Sequence, residues 1–369
     1  MKKKVMAAFL GVVMVLSVSA CGGTNPAGTP AGTPGTQAGT GGTLSGTTAG
    51  GGQDAGNDTL MGDNSASVRF KVGTTTAPDG HYVKGLMDMQ KRLEEYSAGE
   101  MTLDIYPNSQ LGNERDMMEN VGMGVQEMCL ISTGPIPNFV PDFAVLDLPY
   151  LFDDEEHAYE VLDGEVGTSL LAQLETQGIH GVGFWENGFR QLTNNKKEIK
   201  RPDDLKGMKI RTMENNVHMA AYKALGATAT PMAWSEIFTA LQQGTVDGQE
   251  NPIAIIETAK VYEVQKYVSM IDLFYSPCVL MISQTSYDGL TDAQREAFDR
   301  AEVEARDYQR EYSRNYGEEA IGRMEEAGVV ITEVDKDIWK DAVSGVYDQA
   351  DSLGLNRELI EKLTSQISR

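Results

Sequence analysis

The chain has 369 residues, 41% hydrophobic and 23% charged, enough for two domains, or one large one, with a substantial buried core. Its formal net charge of −23 argues against nucleic acid or anionic lipid as a partner met through a basic face. An anionic ligand would have to be captured locally, by a few buried cations.

The first residues set the expected compartment. MKKK is a basic start, VMAAFLGVVMVLSVSA is a short apolar run, and the pattern ends at Cys21. The run is too short and wrongly flanked for a permanent span, so residues 1–20 read as a cleaved export signal. Ser19 and Ala20 before Cys21 resemble the bacterial lipobox, which implies diacylglycerol on the Cys21 sulfur and a chain anchored outside the cytoplasm. The alternative is an ordinary signal with an incidental cysteine. Cleavage would remove Lys2, Lys3 and Lys4 and no acid, taking the charge from −23 to −26. Residues 21–66 are Gly, Thr, Ala and Pro with few large apolar side chains, a composition expected to form a disordered tether. Such a coil reaches roughly 35–40 Å.

Globular patterning begins at Val68. SVRFKVGTT alternates like a strand, His81 to Tyr96 is apolar at helical spacing, MTLDIYP alternates again, Asn113 to Gly122 is helical and VQEMCLIS reads as a buried strand. Strands and helices in this order predict a mostly parallel sheet covered by helices. HAYEVLDGEVGTSLLAQLETQG reads as helix and IHGVGFWENG as strand. A second α/β unit follows, with DDLKGMKIRT as turn and strand, NNVHMAAYKALG as helix and ATATPM as strand. SEIFTALQQGTVDG is read as a helix capped by Ser235. LFYSPCVLMIS returns to strand. From Thr291, with Gln294 completing a capping box, to Gly328 runs one long helix of around 50 Å. KDIWKDAVSGVYDQADSLG is expected to be one more amphipathic helix.

The four histidines, His81, His157, His180 and His218, lie far apart, and none has a second His or Cys at ligand spacing, so no metal site is expected. No nucleophile elbow, phosphate-binding loop or dinucleotide fingerprint stands in the right context, and no cofactor is expected. Cys129 and Cys278 lie in apolar contexts, where a buried free thiol and a disulfide are both open. Arg190 and Arg211 each directly follow an apolar residue at strand-like positions. A buried guanidinium needs an internal acid or a ligand, and its fork matches a carboxylate. Spacing alone leaves both readings open for either residue.

Five segments appear in order: YPNSQLGNERDMME, VLDLPYLFDD, GFRQLTNNKKEIKRPDDLKGMKIRT, LGATATPMAWSEIFTALQQGTVDGQENP and YSP. With them, the chain from about Val68 resembles the extracytoplasmic solute-binding proteins of TRAP transporters, the DctP family. The resemblance implies a two-domain α/β fold of the periplasmic-binding-protein kind, type II-like, each domain a mixed or mostly parallel sheet flanked by helices, with a long domain-spanning helix. The expected domains are 67–187 plus about 276–315, and 188–275 plus about 316–369. It implies that Arg211 forms the bidentate bond to a substrate carboxylate, supported by Arg190 and Asn251. Further candidates at loop ends are His81, Glu114, Ser132, Thr133, Trp185, Asn187, Asn215 and Tyr275. Glu114 and His81 also read as helix-start residues, Trp185 as core and, without the resemblance, Asn251 as a turn residue before Pro252.

The expected function is capture of a small carboxylate by domain closure and its delivery to small and large permease subunits in the membrane, by a monomer and without catalysis. Glu114 would accept from hydroxyls and repel a second carboxylate, which favours a hexuronate such as glucuronate or galacturonate; C4-dicarboxylates, keto acids and aldonates stay open. A secreted enzyme using Glu114 and Glu186 as an acid/base pair is the rival from another class, and a ligand-sensing partner of a receptor shares the fold.

Overall fold

The computed structural model describes residues 59–367. The export signal, Cys21 and the tether up to residue 58 lie outside the described residues. The strands are β1 (Val68–Gly73), β2 (Met101–Tyr106), β3 (Met128–Ser132), β4 (Ile179–Phe189), β5 (Gln191–Asn194), β6 (Lys209–Thr212), β7 (Thr228–Pro231), β8 (Gly248–Asn251), β9 (Tyr267–Met270), β10 (Tyr275–Ser283) and β11 (Val330–Glu333). The α-helices are α1 (His81–Tyr96), α2 (Glu114–Gly122), α3 (Glu155–Leu162), α4 (Glu165–Gln173), α5 (Asn216–Ala224), α6 (Ile237–Gln242), α7 (Ile253–Thr258), α8 (Gln284–Asp288), α9 (Asp292–Glu326), α10 (Lys336–Val343) and α11 (Arg357–Ile367). Among the described residues, no helix is long and apolar enough to cross a membrane.

Two mixed sheets organise these elements, in the orders β2-β1-β3-β10-β4 and β11-β9-β5-β8-β6-β7. The chain passes from the first sheet to the second between Phe189 and Gln191, and back between Met270 and Tyr275. In the first sheet β1, β2 and β3 pair parallel, whereas β10 runs antiparallel to both β3 and β4.

Strict alternation explains why both faces of this sheet are covered. Along β10, Cys278, Leu280 and Ile282 face a core shared with α1 and α9, while Val279 and Met281 face a second core. That second core continues to Leu192 and Ile210 of the other sheet through Ile271, Leu273 and Phe274 of the crossing segment. A third cluster, with Ile237, Leu241 and Val268, covers the second sheet's remaining face.

Helix α9 is 35 residues long, about 52 Å at the standard rise, and opens on the expected Thr291–Gln294 capping box. Ala297, Ala301 and Ala305 sit at four-residue spacing in the core beneath the first sheet, and Ala320 and Met324 belong to the cluster of the second. A stripe of alanines lets the helix approach closely, so one rigid element packs on both sheets.

Several expectations need correcting. Leu60 forms an antiparallel bridge with Ile105, its N–H 3.0 Å from the Ile105 carbonyl, so residues 59–66 lie against the sheet and not in the tether. The helix expected from His157 to Gly178 is broken into α3 and α4 at Asp163–Gly164. Ser235 lies inside a 3-10 turn, Trp234–Glu236, and caps nothing. The single C-terminal helix is α10 followed by a 3-10 turn, with α11 beyond it. Cys129 and Cys278 are both free and buried. Cys129 pairs across the ladder with Met281, three residues from Cys278, so the two thiols point to opposite faces of one sheet and cannot bond.

Candidate functional site

Alternation in β6 answers why an arginine follows an apolar residue there. Ile210 enters the core, and Arg211, 3% exposed, emerges on the other face of a strand flanked by β8 and β7. Its Nε and Nη2 donate to the Met232 carbonyl at 3.0 and 2.7 Å. Among the described residues it makes no ion pair. Burial pulls its pKa down to about 10; Glu250 opposes that, Arg190 adds to it, and Glu114 and Glu214 oppose it further. A guanidinium in this condition is a charge awaiting an anion.

Arg190 is different. It sits in the crossing between β4 and β5 and forms a buried ion pair with Glu250. Its Nη2 also donates to the Glu250 carbonyl at 2.8 Å, to Glu250 Oε1 at 3.1 Å and to Asn251 Oδ1 at 3.1 Å. Burial would lower its pKa, but the charge of Glu250 and the bond to it leave the pKa raised. Burial pushes the Glu250 pKa up, yet Arg190 and His218 bring it down to about 2.

The pair belongs to a longer buried chain. His218 lies with Nδ1 3.7 Å from Glu250 and Nε2 3.2 Å from Asp147, and Phe274 stacks on its ring at 4.0 Å. The expected internal counter-charge is therefore present for Arg190 and missing for Arg211.

Facing them is Glu114, the first residue of α2, which follows the Asn113–Asp116 capping box. It is partly exposed, with Oε1 accepting from the Ser132 amide at 2.7 Å and Oε2 from the Ser132 hydroxyl at 2.9 Å. Burial raises its pKa, while the two Ser132 bonds and the charges of Arg211 and Arg190 lower it. A small cavity of about 20 Å³ lies between the two sheets' residues. Thr75, Thr76, Tyr82, Glu114, Ser132 and Asn187 wall one side, and Arg190, Arg211, Met213, Trp234, Asn251 and Ile255 the other. The Ser132 hydroxyl lies 3.3 Å from Met213 Sδ, and Asn215 Nδ2 donates to the Gly134 carbonyl at 3.0 Å, closing the two walls on each other. A Cβ on Gly134 would sit 2.5 Å from Met213 Sδ and Cε, so a larger residue there would require the end of the Met213 side chain to move.

Six of the expected residues thus line one cavity: Arg190, Arg211, Asn251, Glu114, Ser132 and Asn187. Asn187 is 2% exposed and its Oδ1 has no partner, the kind of buried acceptor that a ligand hydroxyl would satisfy. The other five do not line this cavity. His81 is buried behind Tyr82, edge-to-face at 4.7 Å, and burial lowers its pKa to about 3, which keeps the ring neutral. The Thr133 amide and hydroxyl both donate to the Pro277 carbonyl. Trp185 is core, its indole N–H donating to Glu302 at 2.9 Å. Asn215 caps α5 and donates to Asp147 at 2.7 Å. The Tyr275 hydroxyl donates to Glu186 at 2.7 Å.

Sequence reasoning missed Thr75, Thr76, Tyr82, Met213, Trp234 and Ile255. Thr75 and Trp234 stood in quoted segments and Tyr82 in the helix read from His81, but nothing in spacing distinguishes a cavity side chain from a core one.

The Glu114–Glu186 pair of the enzyme rival does not form around one cavity. Glu186 lines a different, larger space of about 600 Å³, on the side of the crossing where Asp272 and α10 lie. It accepts from the Tyr159 and Tyr275 hydroxyls at 2.7 Å each, and burial raises its pKa to about 7. Among the described residues, no group of three or more His, Cys, Asp or Glu side chains is arranged to hold a metal ion.

The profile of the DctP family, described as bacterial extracellular solute-binding protein, family 7, matches residues 72–352. The 2,3-diketo-L-gulonate-binding periplasmic protein YiaO of Escherichia coli K12 is 38% identical over 279 residues, 75% of this chain and 84% of that protein. A TRAP periplasmic solute-binding protein of Polaromonas sp. JS666, solved with D-erythronate, is 40% identical at a TM-score of 0.77, covering 80% of this chain and 98% of that one. The sugar acid binding protein DctPAm of Advenella mimigardefordensis, solved with galactonate, is 34% identical at a TM-score of 0.79, covering 82% and 98%.

Proposed function

The chain belongs to the DctP family of TRAP extracytoplasmic solute-binding proteins, and from that premise we propose that it captures a polyhydroxylated monocarboxylate, a sugar acid of the hexuronate or aldonate kind. The observation that carries this reading is the unpaired, buried Arg211 opposite Glu114 in one cavity. The Arg211 fork takes the single carboxylate. Glu114 and Asn187 Oδ1 accept from hydroxyls, and Arg190, neutralised by Glu250, shapes the pocket without demanding a second anion. A dicarboxylate would bring its second charge against Glu114. The ligands named for these three relatives, a diketo-gulonate, erythronate and galactonate, are acids of this class, while other relatives are named for C4-dicarboxylates or solved with succinate.

The two sheets with their helices act as two domains, 67–187 with about 276–315 and 188–275 with about 316–369. They close around the ligand, exclude water and strengthen the arginine contact. A lipid on Cys21 anchors the monomer outside the cytoplasm, beside the permease subunits that receive the solute. No turnover occurs. A thermal-shift screen with galacturonate, glucuronate, galactonate, erythronate and succinate, on wild type beside Arg211→Ala, tests the reading. A sugar acid at a hundred times its Kd stabilises wild type by about 2.7 kcal/mol, and Arg211→Ala abolishes the shift. Stabilisation by succinate alone, or an unchanged shift in Arg211→Ala, would falsify it.

A further inference from the structure

We propose that Trp234 is a partition that limits the size of the bound acid, separating the Arg211 cavity from a second groove that is a latent subsite for a ring carried beside the carboxylate. The inference rests on the reading of Arg211 as the carboxylate clamp. The groove holds about 250 Å³, and Thr75 and Trp234 wall both it and the ligand cavity. The indole lies 6.0 Å from the Arg211 guanidinium, so the partition stands at the carboxylate end of the site.

The groove's wall beyond Trp234 is largely apolar, with buried Ile237 and Val261 and with Phe238 37% exposed. Its opposite wall is fixed. Asn108 and Ser109 are held in consecutive left-handed conformations, φ 52° and 57°, with their amides bonded to the Thr76 and Thr74 carbonyls at 2.8 and 3.0 Å. Trp234 opens a three-residue 3-10 turn and is partly exposed. With one wall pinned to the end of β1, the indole decides whether the two spaces join.

The chemistry of the joined space follows from its parts: a carboxylate on Arg211, a hydroxyl toward Glu114, and an aromatic or other uncharged ring where the indole was. 3-Phenyllactate has these groups on adjacent carbons. Binding is measured by titration calorimetry for wild type, Trp234→Phe, Trp234→Gly and Trp234→Gly/Arg211→Ala, with phenethyl alcohol as the probe lacking a carboxylate. Trp234→Gly is expected to bind 3-phenyllactate at least about tenfold more tightly than wild type, because the phenyl ring becomes buried. Trp234→Phe keeps the partition and behaves as wild type. Adding Arg211→Ala removes the binding, and phenethyl alcohol does not bind.

Equal binding by wild type and Trp234→Gly, no binding by Trp234→Gly, or binding that survives loss of Arg211 overturns the partition. Circular dichroism checks the fold, and Trp234→Val carries the same test if the glycine variant is unfolded. If sugar acids fail on wild type while Trp234→Gly takes 3-phenyllactate through Arg211, the sugar-acid reading falls and the partition stands. If sugar acids bind wild type through Arg211 and neither Trp234→Gly nor Trp234→Val takes 3-phenyllactate, the partition falls alone.

Discussion

Arg190 and Arg211 are both buried, both follow an apolar residue, and lie in the same strongly acidic chain, yet only Arg190 touches a carboxylate. The difference predicts opposite mutational outcomes. Arg190→Ala leaves Glu250 buried without its principal counter-charge, so urea denaturation should show a loss of about 3–5 kcal/mol. Arg211→Ala removes an uncompensated buried charge, so stability should hold or rise while affinity for the sugar acid falls at least about 30-fold, the equivalent of about 2 kcal/mol. Equal destabilisation by both would contradict the assignment.

Glu186 supplies a pH test. Burial raises its folded pKa to about 7, above the 4.5 of an exposed glutamate, and burial does the same for Glu302. Between those values the folded state holds protons that the unfolded chain has released, so stability falls as pH rises through that window. Each group contributes on the order of 3 kcal/mol to this fall. Glu186→Gln should flatten part of the slope of Tm against pH from about 5 to 7, and adding Glu302→Gln should flatten more. A slope unchanged in the double variant would count against both.

Elements differed in how well their patterns could be read. The long α9 was legible end to end, because a capping box, helical composition and Gly328 with φ 87° agree on its limits. Thr291→Ala should cost about 1 kcal/mol in urea denaturation, and full retention of stability would show that packing alone holds that end. Strands β5, β8, β9 and β11 were not assigned from sequence. Each is four residues long, and β8 is GQEN with no apolar side chain, so neither alternation nor hydrophobicity marks it. Yet β8 carries Glu250 and Asn251, half of the arginine network. The crossing after β4 depends on Gly188, whose φ is 118° and whose added Cβ would meet Glu186 at 3.0 Å, a constraint invisible until the strand's path is known.

At the scale of the whole molecule, one continuous core runs from the first sheet through Phe274 to the second, while α9 packs on both. The closure proposed above would therefore be bending about a packed crossing, not the meeting of independent bodies. The acidic chain repels anionic lipid, so the membrane residence proposed above would have to come from an acyl group on Cys21. Cys21→Ser should move the exported protein from the membrane fraction to the soluble fraction while leaving ligand binding unchanged. Persistence in the membrane fraction would remove the anchor from the proposal.

By itself the sequence determined the composition class, the order of the longer strands and helices, the family, and the two arginines as the residues to watch. These depend on local periodicity, caps and ordered motifs, which a linear chain displays. Only the tertiary structure decided which arginine is neutralised, that Cys129 and Cys278 face opposite ways, and that Glu114 and Glu186 belong to different cavities. Counter-charges, cavity walls and sheet faces are set by residues far apart in the chain. Glu250 lies 60 positions from Arg190, and no spacing rule reaches across that distance.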